Sequence, residues 1–184
     1  MPASLNEARE SGAEALLIIN GSPYDTGSQG RRERTLSERS PNCRIPMIYC
    51  NMVGGQDELI FDGGSLAMDD AGTVVARAPA FEECLEILEL SRDGESVKIK
   101  GGPPAPLPDI DESVYKALVL GVADYVNKHR FPGVVIGLSG GIDSALTLAL
   151  AVDALGAEHV HAVMMPSRHT TDLSVGLARE QAEM

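Results

Sequence analysis

The chain has 184 residues and a formal net charge of −12. That length suits one domain or two small ones with a buried core, and the acidic excess disfavours a general binder of nucleic acid or anionic membrane, because phosphate contacts need clustered Lys and Arg. A 43% hydrophobic fraction excludes a disordered chain, and four Tyr, three Phe and no Trp leave little for a base-stacking platform.

In chain order, residues 1–10 carry three charges and no apolar core, unlike a secretory leader. Ala15 to Asn20 is a short apolar run ending at Gly21-Ser22-Pro23, which predicts a buried strand entering a turn. Arg31 to Arg39 is charged and predicts an exposed helix. The five Arg between Arg31 and Arg44 alternate with Glu33 and Glu38, the pattern of a solvated face. Ile45 to Asn51 reads as a second buried strand. Short strands follow around Glu58–Phe61 and Ser65–Met68. Asp69-Asp70-Ala71-Gly72 forms a hairpin turn, with Thr73 to Ala78 as the return strand. Cys84 to Leu90 fits strand or helix, with strand favoured. Gly101 to Pro108 holds four prolines in eight residues, so it is neither helix nor central strand and reads as a linker. The resulting division is 1–92, a linker over 93–110, and 111–184.

Beyond the linker, Val114, Ala117, Leu118, Gly121, Val122 and Tyr125 fall at helical spacing within Asp111–His129. Val134 to Leu138 is a strand, Asp143 to Leu155 a helix closed by Gly156, His159 to Met165 a strand, and Asp172 to Met184 a further helix. Helix, strand, helix, strand, helix is the grammar of a parallel βαβ unit. No apolar run reaches the ~18 residues of a membrane span. Three Cys argue against a disulfide scaffold and for a reducing, cytoplasmic setting.

The strongest chemical signal is Leu138-Ser139-Gly140-Gly141-Ile142-Asp143-Ser144, between a buried strand and a helix. Two glycines let the backbone approach a ligand. The helix start offers free N–H groups and a positive dipole end. Ser139 and Ser144 add hydroxyls. Asp143 would be repelled by bare phosphate, so a bridging divalent cation is implied. No Lys follows the glycines, which excludes the GxxxxGK[ST] loop. Ser139 to Ser144 resembles the SGGxDS loop of the ATP-pyrophosphatase superfamily. Val114 to Gly121, Phe131 to Leu138 and Val163 to Arg168 resemble NAD synthetase in particular. The resemblance implies that Gly137, Leu138, Ser139, Gly140, Gly141, Ile142, Asp143 and Ser144 hold ATP phosphates. Asp143 would be the Mg2+ ligand, with Met165 and Arg168 near the nucleotide.

In the first part, Ile18 to Tyr24 resembles the INASPY segment of the nitrilase-like glutaminase domain fused to bacterial NAD synthetases. Val53 to Ser65 and Ala78 to Glu83 resemble two further segments of it. The implied fold is α/β: the C-terminal half of a nitrilase-like sandwich, followed by the start of a Rossmann-like parallel βαβ domain. Ser22 and Ser28 would line the glutamine pocket. The family's Lys, six residues on, is replaced here in the pair Gly27-Ser28. A neutral hydroxyl supplies no cationic contact, and Arg31 or Arg32 is the nearby candidate to compensate. The glutaminase Glu, Lys and Cys would lie upstream of Met1, so the chain itself holds no glutaminase catalytic residue and reads as an internal fragment.

The implied function is ligation: deamido-NAD is amidated to NAD with ATP, Mg2+ and ammonia released from glutamine. The implied setting is a homo-oligomeric, cytoplasmic enzyme without nucleic-acid or membrane partners. Alternatives are a truncated, non-catalytic nucleotide binder and another SGGxDS amidotransferase. Other reactive residues have plainer readings. Cys50 sits in an apolar strand and reads as a buried small hydrophobe, and Cys43 and Cys84 have less context still. His159 and His161 would share one strand face without a third metal ligand. The resemblance makes Asp57, Glu58 and Asp62 loop-organising residues that accept from backbone N–H groups.

Overall fold

The computed structural model describes residues 7–94 and 96–184; the side chains of residues 41–43, Cys43 among them, lie outside the described set. Two compact units result, Met1–Gly54 with Leu59–Val114, and Gly55–Glu58 with Tyr115–Met184.

In the first unit, β1 (Leu16–Asn20) runs parallel to β2 (Met47–Asn51), with Leu16 opposite Met47 and Asn20 opposite Asn51. Helix α1 (Ser28–Cys43) connects them, as a parallel pair requires. The hairpin strands β3 (Val53–Gln56) and β4 (Leu59–Asp62) pair with each other. β5 (Leu66–Met68) and β6 (Val74–Arg77) extend the main sheet antiparallel, in the order β1-β2-β5-β6.

The two-residue period of a strand sets the core. Met47, Tyr49 and Asn51 of β2 are buried, whereas Ile48 and Cys50 point the other way. Met47 and Met68, both wholly buried, pair directly across β2 and β5 and pack with Leu36, Ile45, Tyr49 and Leu66. The opposite face carries Ala67 and Ala76, covered by Ile99.

Two expectations shift here. Residues 84–88 form no strand; Leu85 and Ile87 are exposed, having no partner strand to pair with. The strand starts later, as β7 (Glu89–Asp93), antiparallel to β8 (Ser96–Lys100). Thus β8 lies inside the stretch expected as linker over 93–110. Its Val97 and Ile99 straddle a two-residue period, and Ile99 reaches the Ala67–Ala76 face.

The second unit contains most of α2 (Ile110–Lys128), then β9 (Val134–Gly137), α3 (Ile142–Leu155), a 3-10 turn (Ala157–His159), β10 (Val160–Val163) and α4 (Asp172–Glu183). β9 and β10 are parallel, Val134 opposite Val160, with α3 as the crossover. Gly156 ends α3, its N–H bonding Val152 O at 2.8 Å. The 3-10 turn removes His159 from the strand, so His159 and His161 do not share one strand face. Within the second unit, Gly55 N–H donates to Asp124 Oδ2 at 2.7 Å, and Lys128 Nζ donates to Gly55 O at 2.6 Å. The α/β expectation therefore holds in both units. Among the described residues, no helix is long and apolar enough to cross a membrane.

Met47→Ala should lower stability by about 2–5 kcal/mol, because a fully packed site leaves a cavity. Ile19→Ala in the neighbouring strand, where the side chain is 82% exposed, should change it by less than about 0.5 kcal/mol. Urea unfolding followed by circular dichroism measures both.

Candidate functional site

The segment from Gly137 to Ser144 leaves the carboxyl end of β9 and enters α3. Leu138 anchors it: the side chain is buried, and its N–H bonds Val163 O of β10 at 2.9 Å. Past that anchor the loop is built on hydroxyls. Ser139 N–H donates to Ser144 Oγ at 3.2 Å, and Gly141 N–H donates to Ser139 Oγ at 3.3 Å. Ser144 Oγ donates to Gly141 O at 3.0 Å. Both serines thus brace the turn. Gly141 is the N-cap of α3 and has no side chain to cap it, so the first helical N–H groups face the loop mouth. Asp143 lies exposed in the first turn, as does Ile142.

Gly140 has a structural reason beyond approach to a ligand. Its φ is +82°, and a Cβ there would stand 2.4 Å from Ser174 O in α4. At Gly141 a Cβ would meet only Ser139 Oγ, at 3.5 Å. The first glycine lets α4 pack on the loop; the second is open. Gln181 of α4 adds a 3.4 Å hydrogen bond from Nε2 to Gly140 O, and its Oε1 is buried without a partner. Met165 folds back toward β9, its Cε 3.1 Å from where a Cβ on Gly137 would stand. Arg168 is exposed and donates to His169 Nε2 at 3.1 Å.

The first unit holds a second polar site. Ser22 follows β1, and its backbone is bracketed by one side chain. Ser22 N–H donates to Asn51 Oδ1 at 2.8 Å, and Asn51 Nδ2 donates to Ser22 O at 3.3 Å and Gly63 O at 3.1 Å. Arg31 and Arg32 separate here. Arg31 pairs with Asp25 in the open, and that hydrogen bond, followed by the Gly27 N–H, holds the Asp25 carboxyl below its ordinary value. Arg32 is buried, contrary to the solvated-face expectation, and pairs with buried Asp62. Among the described residues, Asp62 accepts from Arg32 and from Ser28 Oγ rather than from the backbone N–H groups expected. Ser28, also buried, accepts from Arg32 Nη2 at 3.0 Å. Beside Ser28 lies a cavity of about 160 Å³, bounded by Tyr24, Asp25, Gln29, Asp62 and Phe81. Sequence reasoning missed Asn51 and the roles of Asp62 and Gln29; a polar residue closing the apolar run Met47–Asn51 was the available signal for Asn51.

Cys50 is exposed rather than buried, because it lies on the Ile48 side of β2. It shares with Cys84 the wall of a cavity of about 460 Å³ in the first unit. Partial desolvation, then the Glu86 and Glu82 carboxylates, push the Cys84 thiol up, which disfavours a thiolate nucleophile. Among the described residues, no group of three His, Cys, Asp or Glu could hold a metal ion.

A strand, a glycine turn braced by hydroxyls and an uncapped helix start define a nucleotide-phosphate type of α/β unit. Comparison with known proteins agrees. The NAD synthase family model matches residues 114–184. The glutamine-dependent NAD(+) synthetase of Acinetobacter baylyi is 47% identical over 169 residues, 92% of this chain and 31% of that protein. The structure of glutamine-dependent NAD+ synthetase from Acinetobacter baumannii in complex with ADP superposes with a TM-score of 0.91. It is 44% identical, over 98% of this chain and 34% of that one. The Cytophaga hutchinsonii synthetase, at 20% identity and a TM-score of 0.72, shares the fold. This chain is thus homologous to a segment of the glutamine-dependent NAD synthetases and spans about a third of their length.

Gly140→Ala should destabilise the second unit by about 1–3 kcal/mol through its strained φ alone, with the Ser174 clash adding to that. Gly141→Ala should stay within about 1 kcal/mol of the parent. Thermal unfolding of the two variants tests the difference.

Proposed function

We propose that this chain supplies the ATP-phosphate loop and part of the glutamine pocket of a glutamine-dependent NAD synthetase. The whole enzyme would be a cytoplasmic homo-oligomer acting on deamido-NAD, ATP and glutamine or ammonia. The observation that supports this most is the Ser139–Ser144 turn at the open start of α3. ATP phosphates fit there against the N–H groups that Gly141 leaves uncapped, with Ser139 and Ser144 fixing the turn. In the reaction the nicotinate carboxylate of deamido-NAD is adenylated, pyrophosphate leaves, and ammonia displaces AMP to form the amide.

Asp143 suits a hard cation, being an exposed carboxylate beside a loop of oxygen donors. Mg2+ bound there would neutralise charge on the phosphates. The chain's own contribution is the oriented N–H groups and the dipole of α3, which favour negative charge without reorganisation. Met165 would bound the nucleotide on the β9 side, and Arg168 is free to turn toward it. On the glutamine side, Ser22 carries the contact. Ser28 acts within the protein, because its hydroxyl already bridges Arg32 and Asp62.

A chimera tests this reading: the Acinetobacter baylyi enzyme with its matching segment replaced by this chain. It should convert deamido-NAD to NAD with ATP and ammonia. Asp143→Ala should reduce pyrophosphate release about 10²–10³-fold, the usual scale for one stabilising contact. If Asp143 were only a first-turn acid, Ala would cost about 0.3–1 kcal/mol of stability and spare the rate. Ser28→Lys should lower the melting temperature, because it buries a second cation beside Arg32.

A further inference from the structure

We infer that Arg32 is a positioning residue that turns the Ser22 hydroxyl into an outward hydrogen-bond donor. The inference rests on the reading of Ser22 as part of the glutamine pocket and deepens it. Guanidinium has five N–H donors, and all five are engaged. Nε–H meets Ser22 Oγ at 3.3 Å. Nη1 meets Gln29 Oε1 at 2.7 Å and Gly63 O at 3.2 Å. Nη2 meets Ser28 Oγ at 3.0 Å and the Asp62 carboxylate.

Two consequences follow. Arg32 has no donor left for a ligand, so it does not replace the cationic contact that residue 28 lacks. Ser22 Oγ, accepting from Arg32, aims its own proton away from the guanidinium, and the side chain is only half-buried. With the Ser22 backbone clamped by Asn51, the hydroxyl is held in place with its proton directed off the guanidinium. Because the guanidinium only donates, the Ser22 proton is left for an acceptor, and a carboxylate or amide carbonyl oxygen is the ligand group that takes it. On that reading an oxygen of the glutamine substrate receives the Ser22 proton.

Arg32→Lys separates positioning from bulk stability. Lys keeps a cation for Asp62, but its three donors on a single atom cannot also span Ser22, Ser28, Gln29 and Gly63. In the chain itself, Ser22→Ala should lower the melting temperature when residue 32 is Arg and leave it unchanged in the Arg32→Lys background. In the chimera, Ser22→Ala and Arg32→Lys should each raise the KM for glutamine about 10-fold, the scale of one hydrogen bond to a charged group. The double variant should be no worse than either single one. Equal melting effects of Ser22→Ala in both backgrounds, or multiplicative KM effects reaching about 100-fold, would overturn the inference. Arg32→Gln, planar and uncharged, repeats the cycle if Arg32→Lys does not fold, and failure of both to fold makes Arg32 purely structural. A chimera that makes no NAD from either nitrogen source removes the proposed function, while the melting cycle still decides the Arg32–Ser22 contact.

Discussion

One guanidinium and one carboxylate, Arg32 and Asp62, are buried together with side chains 7% and 5% exposed. Desolvating such a pair is costly, and attraction offsets the cost only where the remaining donors and acceptors are satisfied. That condition shapes the polar half of the first unit. Asp62 closes β4, and Gly63 O follows directly to accept from Nη1 and from Asn51. Gln29 bridges the same region, donating from Nε2 to Gly64 O and to Glu33. Glu33 in turn pairs with Arg77 of β6 at 2.8 Å. A chain of charges and amides thus ties α1 to the end of β4, to β6 and to the loop carrying Ser22. The methionine core beneath needs only volume and hydrophobicity. The pair needs particular atoms in particular places, and so it fixes the register of the loop.

This explains what could be read from sequence and what could not. Strands β1, β2, β9 and β10 and helices α2, α3 and α4 follow from apolar runs and periodicity and lie close to their expected bounds, whereas α1, expected from its charge over Arg31–Arg39, runs from Ser28 to Cys43. The hidden face of α1 does not follow from such patterns. Among its described residues, the buried ones, Ser28, Arg32, Leu36 and Ser40, recur every four positions, which is helical spacing. Three of the four are polar, so the stripe is invisible to a reading that equates burial with apolarity. Ser40 is wholly buried because its Oγ donates to Asp69 O at 2.7 Å. Each such residue is stabilised by a partner distant in sequence. β8 escaped for a related reason: it is a short strand that gains burial from one residue, Ile99, against two alanines.

The glycine turn from Ser139 to Ser144 was legible because its constraints are local. Ser139 and Ser144 bond each other's segment across five residues, and the positive φ of Gly140 is a property of one residue. What sequence could not show is the second constraint on Gly140, the carbonyl of Ser174 in α4. A glycine chosen for phosphate approach and one chosen for helix packing look identical in sequence.

The overall charge decides how such a loop can work. A chain with net charge −12 offers a polyanion no favourable long-range field. Nor does the loop from Gly137 to Ser144 contain any Lys or Arg. On the proposed reading, attraction comes from short-range dipoles: the N–H groups at the start of α3, effective only within about one helical turn. Asp143 opposes even that unless a cation lies between carboxylate and phosphate. On the proposed reading, the acidic chain and the acidic loop residue make phosphate binding conditional on the metal, so free ATP is discriminated from its Mg2+ complex by repulsion rather than by an added contact.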